Sequence, residues 1–175
     1  MPSMPAAATA ELRLFLALWP DASALEQLVA LADGWSWPAQ ARRTAPGKLH
    51  VTLHFIGNVP AARLPDLRAG LEVEWSGCEL SFDRATVWPG GIAVLEATRV
   101  PAPLARLHAD LAERLRELGL PVESRPYRPH VTLARKGFGA RAPAFEPLRW
   151  RAGPGYALVR SVGGGRGYET LQSFG

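Results

Sequence analysis

The sequence predicts an α+β protein built mainly from antiparallel strands. Three observations carry that prediction. Strand and helix periodicities follow one another without a regular βαβ alternation, several strands bunch toward the C-terminal end, and one tetrapeptide occurs twice in strand-like surroundings. At 175 residues the chain can bury a core of its own as a single domain. We read residues 1–10 as a flexible tail and 11–175 as that domain.

The first element is a strand. Leu12, Leu14, Leu16 and Leu18 share one face, and Arg13, Phe15, Ala17 and Trp19 share the other. A helix follows, with Ser23-Ala24-Leu25-Glu26 as a capping box and Leu25, Leu28, Val29 and Ala32 as its apolar stripe. Residues 34–47 hold Pro38, Pro46 and several arginines, and read as a connection with a short strand. Leu49 to Ile56 is a strand ended by Gly57-Asn58, and a second helix runs from about Ala61 to Val73. Strands over Cys78–Val87 and Ile92–Leu95 meet at the Pro89-Gly90-Gly91 turn. The third helix spans about Ala102 to Leu118 on a leucine stripe, and Gly119 with Pro121 stops it. Strands at His130–Arg135, Leu148–Ala152, Tyr156–Val162 and Tyr168–Ser173 complete the chain.

Composition excludes several classes. The single cysteine, Cys78, permits neither an internal disulfide nor a cysteine metal cage, which fits a reducing cytoplasm. No apolar run approaches a membrane span, and MPSMPAAATA lacks the basic and apolar regions of a signal peptide. The formal net charge is +4, and all basic residues but Lys48 and Lys136 are arginines. Arginine's planar fork suits phosphate, although a GC-rich genome gives the same bias.

The tetrapeptide His-Val-Thr-Leu stands at 50–53 and again at 130–133. Basic, proline-containing segments precede both copies: Ala45-Pro46-Gly47-Lys48 and Tyr127-Arg128-Pro129. One His-x-Thr on a strand is usually structural. Two copies in matched contexts point to a site. Strand alternation places His50 with Thr52 on one face, and His130 with Thr132, over buried Val and Leu. Side by side, the two strands present two imidazoles and two hydroxyls. That set suits phosphodiester cleavage without a metal: one neutral imidazole takes a proton, one imidazolium gives one, and the hydroxyls donate to phosphate oxygens.

KLHVTLHFIGNV and YRPHVTLARK resemble the paired motifs of the 2H phosphoesterase superfamily, in its branch of bacterial and archaeal RNA 2′,3′-cyclic phosphodiesterases (historically 2′-5′ RNA ligases). LRLFLALWP resembles that branch's first strand, and the likeness extends from about Leu12 to Tyr168. The resemblance implies a bilobal, pseudo-two-fold fold, with two mainly antiparallel sheets lining a central cleft and helices outside. It implies hydrolysis of RNA 2′,3′-cyclic phosphate to a 2′-phosphomonoester with no metal and no cofactor. It makes His50 the donor to the leaving 3′ oxygen and His130 the base, which the spacing alone leaves open. The chain departs from the family at Arg42-Arg43-Thr44, where many relatives carry an aromatic residue after the arginine.

Further candidates surround the pair. Arg13 is expected on phosphate and Phe15 on a base, or both pack at the rim. Arg135 is expected on phosphate by resemblance, whereas strict alternation puts Lys136 on the motif face. Tyr127 and Arg128 bind RNA at the cleft mouth or are turn residues. His54 shares parity with His50 and is expected to be accessory or solvated, His108 to sit at the core edge, and Cys78 in the core. Gly163-Gly164-Gly165 reads as a loop between strands and not as a phosphate loop, since the Lys-Ser/Thr ending is missing. The expected ligand is RNA with a 2′,3′-cyclic phosphate end or a cyclic nucleotide, the expected state a monomer without a membrane or protein partner. Competing readings are an exonuclease, a hydrolase of small cyclic or 2′-5′-linked nucleotides, and a non-catalytic RNA-binding module.

Overall fold

The computed structural model describes residues 10–163 and 167–175. The tail over 1–9 and the Gly164-Gly165 part of the glycine run lie outside the described residues. In chain order the elements are β1 (Glu11–Leu18), α1 (Ala22–Asp33), β2 (Arg42–Arg43), β3 (Val51–Pro60), α2 (Leu64–Gly70), β4 (Cys78–Phe82), β5 (Arg84–Trp88), β6 (Ile92–Glu96), α3 (Ala102–Glu117), β7 (His130–Arg135), β8 (Leu148–Ala152), β9 (Tyr156–Val162) and β10 (Gly167–Phe174).

The α+β class holds, with antiparallel pairing throughout two sheets. The larger runs β10-β9-β1-β3-β7-β6-β5 with β2 beside β7, and the smaller is the β4-β8 ribbon. Each tetrapeptide lies at the start of a strand in the larger sheet, and those strands are neighbours. The two halves of that sheet join at the pairing of Val51 with Val131.

The leucine stripe of β1 explains the core. Leu14, Leu16 and Leu18 bury against Leu28 of α1, Leu104 and Leu107 of α3, and Phe82 and Trp150 of the ribbon. Each such leucine withdrawn from water contributes about 1.5–3 kcal/mol. The other face of β1 carries a smaller apolar patch of Phe15, Ala17, Ala157 and Val159, with Trp19 against it. That second face is the one bearing His50, whose ring packs on Phe15.

Four local expectations change. The cap of α1 is Asp21, whose carboxylate accepts the Ala24 N–H at 2.8 Å, and not Ser23, because the helix starts earlier than the capping-box pattern places it. β3 runs through Gly57-Asn58 to Pro60, with Gly57 absorbing the twist at φ +90°. The second helix starts as a 3-10 turn over Ala61–Arg63 and ends at Gly70, well short of Val73. The stretch Cys78–Val87 is two strands in different sheets, split at Asp83, whose carboxylate accepts from the Thr98 backbone N–H at 2.9 Å and the Thr98 hydroxyl at 2.5 Å.

Asp21→Ala is expected to cost about 1 kcal/mol of stability through the lost cap. Ser23→Ala, at an exposed position without that bond, is expected within about 0.5 kcal/mol of the parent. Urea denaturation of the two variants checks the assignment.

Candidate active site

The motif strands share one device that alternation does not foresee. On β1 and β3, Ala17 pairs with Thr52 but Leu16 pairs with His54, so Leu53 is an extra residue in the ladder. On β6 and β7, Val94 pairs with Thr132 but Ala93 pairs with Ala134, so Leu133 is extra in the same way. A bulge of this kind turns two successive side chains to one face. Burial agrees. Leu53 and His54 are 2% and 5% exposed, Leu133 and Ala134 are 1% and 0%, and Phe55 and Arg135 then return to solvent.

The bulges correct the reading of His54 and favour Arg135 over Lys136 on the motif face. His54 leaves the motif face and is buried in the interior, where its Nε2–H donates to the His108 carbonyl at 2.8 Å. Arg135 joins the face of His130 and Thr132, because the strand bends as alternation alone does not allow for. Lys136 follows at φ 53°, where the strand has ended.

The four motif side chains meet across the strand junction. In antiparallel pairs, directly opposite residues share a face. With Val51 opposite Val131, His50 lies beside Thr132 and Thr52 beside His130. Both imidazoles are anchored alike. Nδ1–H of His50 donates to the Lys48 carbonyl at 2.7 Å, and Nδ1–H of His130 donates to the Arg128 carbonyl at 2.7 Å. A carbonyl can only accept, so each neutral ring keeps its lone pair on Nε2. The Thr52 hydroxyl donates to His50 Nε2 at 3.0 Å.

The surroundings of the two rings differ. His50 is boxed by Phe15 at 5.0 Å, Trp19 at 5.3 Å and Tyr168 edge-on at 5.4 Å. His130 packs on Trp88 at 4.4 Å, and Glu96 pairs with it across β6–β7. Burial lowers the pKa of His50 below its usual 6.5, opposed by the Lys48 carbonyl and helped by the charge of His130. Burial likewise lowers His130, opposed by the Arg128 carbonyl and by Glu96. Both rings are therefore mainly neutral at pH 7.

The remaining candidates divide. Arg13 is exposed on the motif face, with its guanidinium 5.1 Å from the ring centre of Phe55. Phe15 is 5% exposed, so it is a floor under His50 and not a surface for a base, which corrects its expected stacking role. Tyr127 is also corrected. Its ring stacks on His108 at 4.0 Å and its hydroxyl donates to the Thr52 carbonyl at 2.9 Å, so it packs inward behind the motif. Sequence reading passed over Trp19, Trp88, Glu96, Phe55 and Tyr168. They come from four strands and one loop, and no spacing in the chain links them to the histidines. Among the described residues, no three His, Cys, Asp or Glu side chains are grouped to hold a metal ion, and no helix is long and apolar enough to cross a membrane.

The family model of the 2′-5′ RNA ligase superfamily matches residues 18–157, and the chain belongs to that superfamily. It is 33% identical over 149 residues to an RNA 2′,3′-cyclic phosphodiesterase of Thermus thermophilus, covering 74% of this chain and 72% of that protein. It is 32% identical over 120 residues to another of that name from Geobacillus stearothermophilus, covering 65% of this chain but only 37% of that protein's length. Its fold matches Escherichia coli LigT complexed with 3′-AMP at a TM-score of 0.79 and 26% identity, covering 94% and 97% of the two chains.

The stacked rings behind the motif set a pH dependence. His108 stacks on His54 at 4.0 Å and is lowered to about 4, first by burial and then by His54; His54 is itself lowered by burial. At His108, between about 4 and the unfolded value of 6.5, the unfolded chain binds more protons, so stability rises with pH there, and the lowered His54 acts in the same direction. Their contribution is full above pH 6.5 and is lost as the pH falls toward 4. Denaturation of the parent and of His108→Phe from pH 4 to 7 is expected to show a shallower slope in the variant.

Proposed function

We propose that this chain hydrolyses RNA 2′,3′-cyclic phosphate ends to 2′-phosphomonoesters by two-histidine acid-base catalysis, with no metal and no cofactor. The observation that carries the reading is the matched pair of imidazoles. Each is anchored at Nδ1 by the carbonyl two residues back, leaving both Nε2 atoms for proton transfer. The relatives named RNA 2′,3′-cyclic phosphodiesterase support it.

In this reading His130 Nε2 takes a proton from water as the water oxygen bonds to phosphorus. The bond from phosphorus to the 3′ oxygen breaks, and His50 Nε2–H delivers a proton to that oxygen. The phosphate remains on the 2′ oxygen. His50 must enter as the imidazolium, and two features favour the cation: the aromatic rings around it and the anionic substrate. His130 must enter neutral, which its lowered pKa provides at pH 7. Thr132 donates to a non-bridging oxygen, where charge accumulates, and Thr52, no longer donating to His50 Nε2 once that ring is the imidazolium, donates to the other. If the 5′ hydroxyl of a second RNA takes the place of water, the same displacement bonds its oxygen to phosphorus, the 3′ oxygen leaves with the proton from His50, and a 2′-5′ linkage results, a ligase activity.

Arg135 holds the phosphate or the adjoining backbone. It stands directly opposite Arg42, and like charges so placed repel unless an anion lies between them. The aromatic surfaces for bases are Tyr168 and Phe55, which are 39% and 47% exposed, with Arg13 beside Phe55. The enzyme acts as a cytoplasmic monomer.

The test offers an RNA ending in 2′,3′-cyclic phosphate in the presence of EDTA and identifies the product. A 2′-phosphate end is expected, with His50→Ala and His130→Ala each slower by about 10²–10⁴-fold. Binding without turnover would sink the proposal, and cleavage of internal linkages alone would make the chain a nuclease of another kind. Separately, Arg135→Ala is expected to weaken transition-state binding by about 1–3 kcal/mol in kcat/KM, whereas Lys136→Ala leaves kcat/KM within about twofold.

A further inference from the structure

The two halves of the site correspond residue by residue until one position breaks the match. Leu18 pairs with Val51 in the first half, and Leu95 pairs with Val131 in the second. One residue further on, Trp19 packs against His50, whereas Glu96 is paired with His130. An aromatic ring stands on one side and a carboxylate on the other.

The Glu96 carboxylate is unusual in its burial. Its side chain is only 3% exposed, and a charge so placed is costly unless it is paired and fully hydrogen-bonded. Two arginines supply the bonds. Arg84 donates from Nε at 3.1 Å and Nη2 at 2.8 Å, and Arg128 donates from Nε at 2.7 Å and Nη2 at 3.1 Å. Burial raises the carboxyl's pKa, but the arginine bonds and charges outweigh it, so the group is held ionised.

Arg128 connects this carboxylate to the histidine in two ways. Its backbone carbonyl accepts the His130 Nδ1–H. Its guanidinium lies 4.6 Å from the ring centre of Trp88, and Trp88 packs on His130. The residue that anchors the imidazole is thus itself anchored by Glu96. Strand pairing does not require any of this, since the β6–β7 ladder is made by backbone groups.

We propose that Glu96 is a positioning residue for His130, fixing its ring through Arg128 and stabilising its imidazolium form from across the strand. The proposal rests on the two-histidine reading given above. The charged groups facing His130 are Glu96 from β6, Arg84 from β5, Arg128 from the segment before β7 and His50 from β3. Glu96 is the one carboxylate among them. It opposes the lowering of His130 by burial and by Arg128, and the corresponding influence is missing from His50. When His130 takes the proton from water, the new positive charge appears opposite this carboxylate, and among the described residues no carboxylate acts on His50 in the same way.

The experiment uses Glu96→Gln, which removes the charge and keeps the shape, and Glu96→Asp, which keeps the charge. Titration of the imidazole resonances in protein labelled with 15N-histidine reports each ring without substrate. Glu96→Gln is expected to lower the His130 midpoint by about one pH unit and leave His50 in place. In the pH profile of kcat/KM the acidic limb, set by the base, moves to lower pH by the same amount, and the maximal rate falls about threefold to tenfold. Glu96→Asp holds the limb at its parental position, which keeps the test open if the glutamine variant folds poorly. An unmoved His130 midpoint, or a fall in rate uniform across pH with both limbs fixed, would overturn the proposal. If the alkaline limb moves instead, Glu96 still acts on His130, and the acid and base roles given above are reversed. If the midpoint shifts but the parent protein turns over no cyclic phosphate, the proposed function falls and the Glu96–His130 linkage stands.

Discussion

Val51 pairs with Val131 at the seam where two halves of an eight-stranded sheet meet, and the rest of the site is built outward from that contact. The pairing sets the register of both tetrapeptides at once. In a ladder of period two, shifting either strand by a single residue would send its own histidine into the core and its own valine to solvent. The valines are 0% exposed, so the core enforces the register that the proposed chemistry needs. Hydrophobic burial is non-directional, yet here it determines where two imidazoles stand.

The bulges at Leu53 and Leu133 are the second constraint. Each turns two consecutive side chains inward and brings the following one back to the motif face. This sends His54 and Ala134 to the interior and Phe55 and Arg135 outward. An inward-facing histidine needs partners, and it finds the carbonyl and the ring of His108. The stack continues to Tyr127, whose hydroxyl returns to the Thr52 carbonyl beside the first bulge. A segment that precedes the second motif thereby supports the backbone of the first. Rigidity comes from both halves, which suits the proposed reaction, whose rate depends on the placement of two proton-transfer groups.

The site's two halves are alike in backbone and unlike in environment. Both histidines use the same Nδ1 anchor, a consequence of equal local sequence and equal bend. Around them the match ends: aromatic rings enclose His50, while His130 lies between Trp88 and a buried carboxylate held by two arginines. A duplicated strand thus becomes an asymmetric pair, as the proposed acid and base roles require. The basic character noted from composition also becomes local. Arg84 and Arg128 are spent on Glu96, whereas Arg42 and Arg135 stand opposed at the sheet surface.

Much of the strand and helix pattern was legible from the chain itself, because its cause is local. The leucine alternation of β1, the stripe of α3 and the repeated His-Val-Thr-Leu each encode a period, and β7 and β8 have the bounds that their periods imply. The repeat also made the four motif residues legible as a set facing one way. What tertiary structure alone decided depends on partners distant in sequence. The bulges form because β1 and β6 impose their register on the motif strands, so the faces of His54 and Arg135 could not follow from parity. Phe15 and Tyr127, expected on the ligand, are covered instead: Phe15 lies under His50 and Tyr168 on the motif face, and Tyr127 packs inward on His108. Glu96 and Trp88 carry no motif, and their place beside His130 comes from the antiparallel return of β5 and β6. By itself the sequence determined which side chains repeat and which way each short strand faces, since side-chain alternation is a property of the local backbone. Which groups surround each histidine was left to folding, because contact between strands tens of residues apart is set by the packing of the whole sheet.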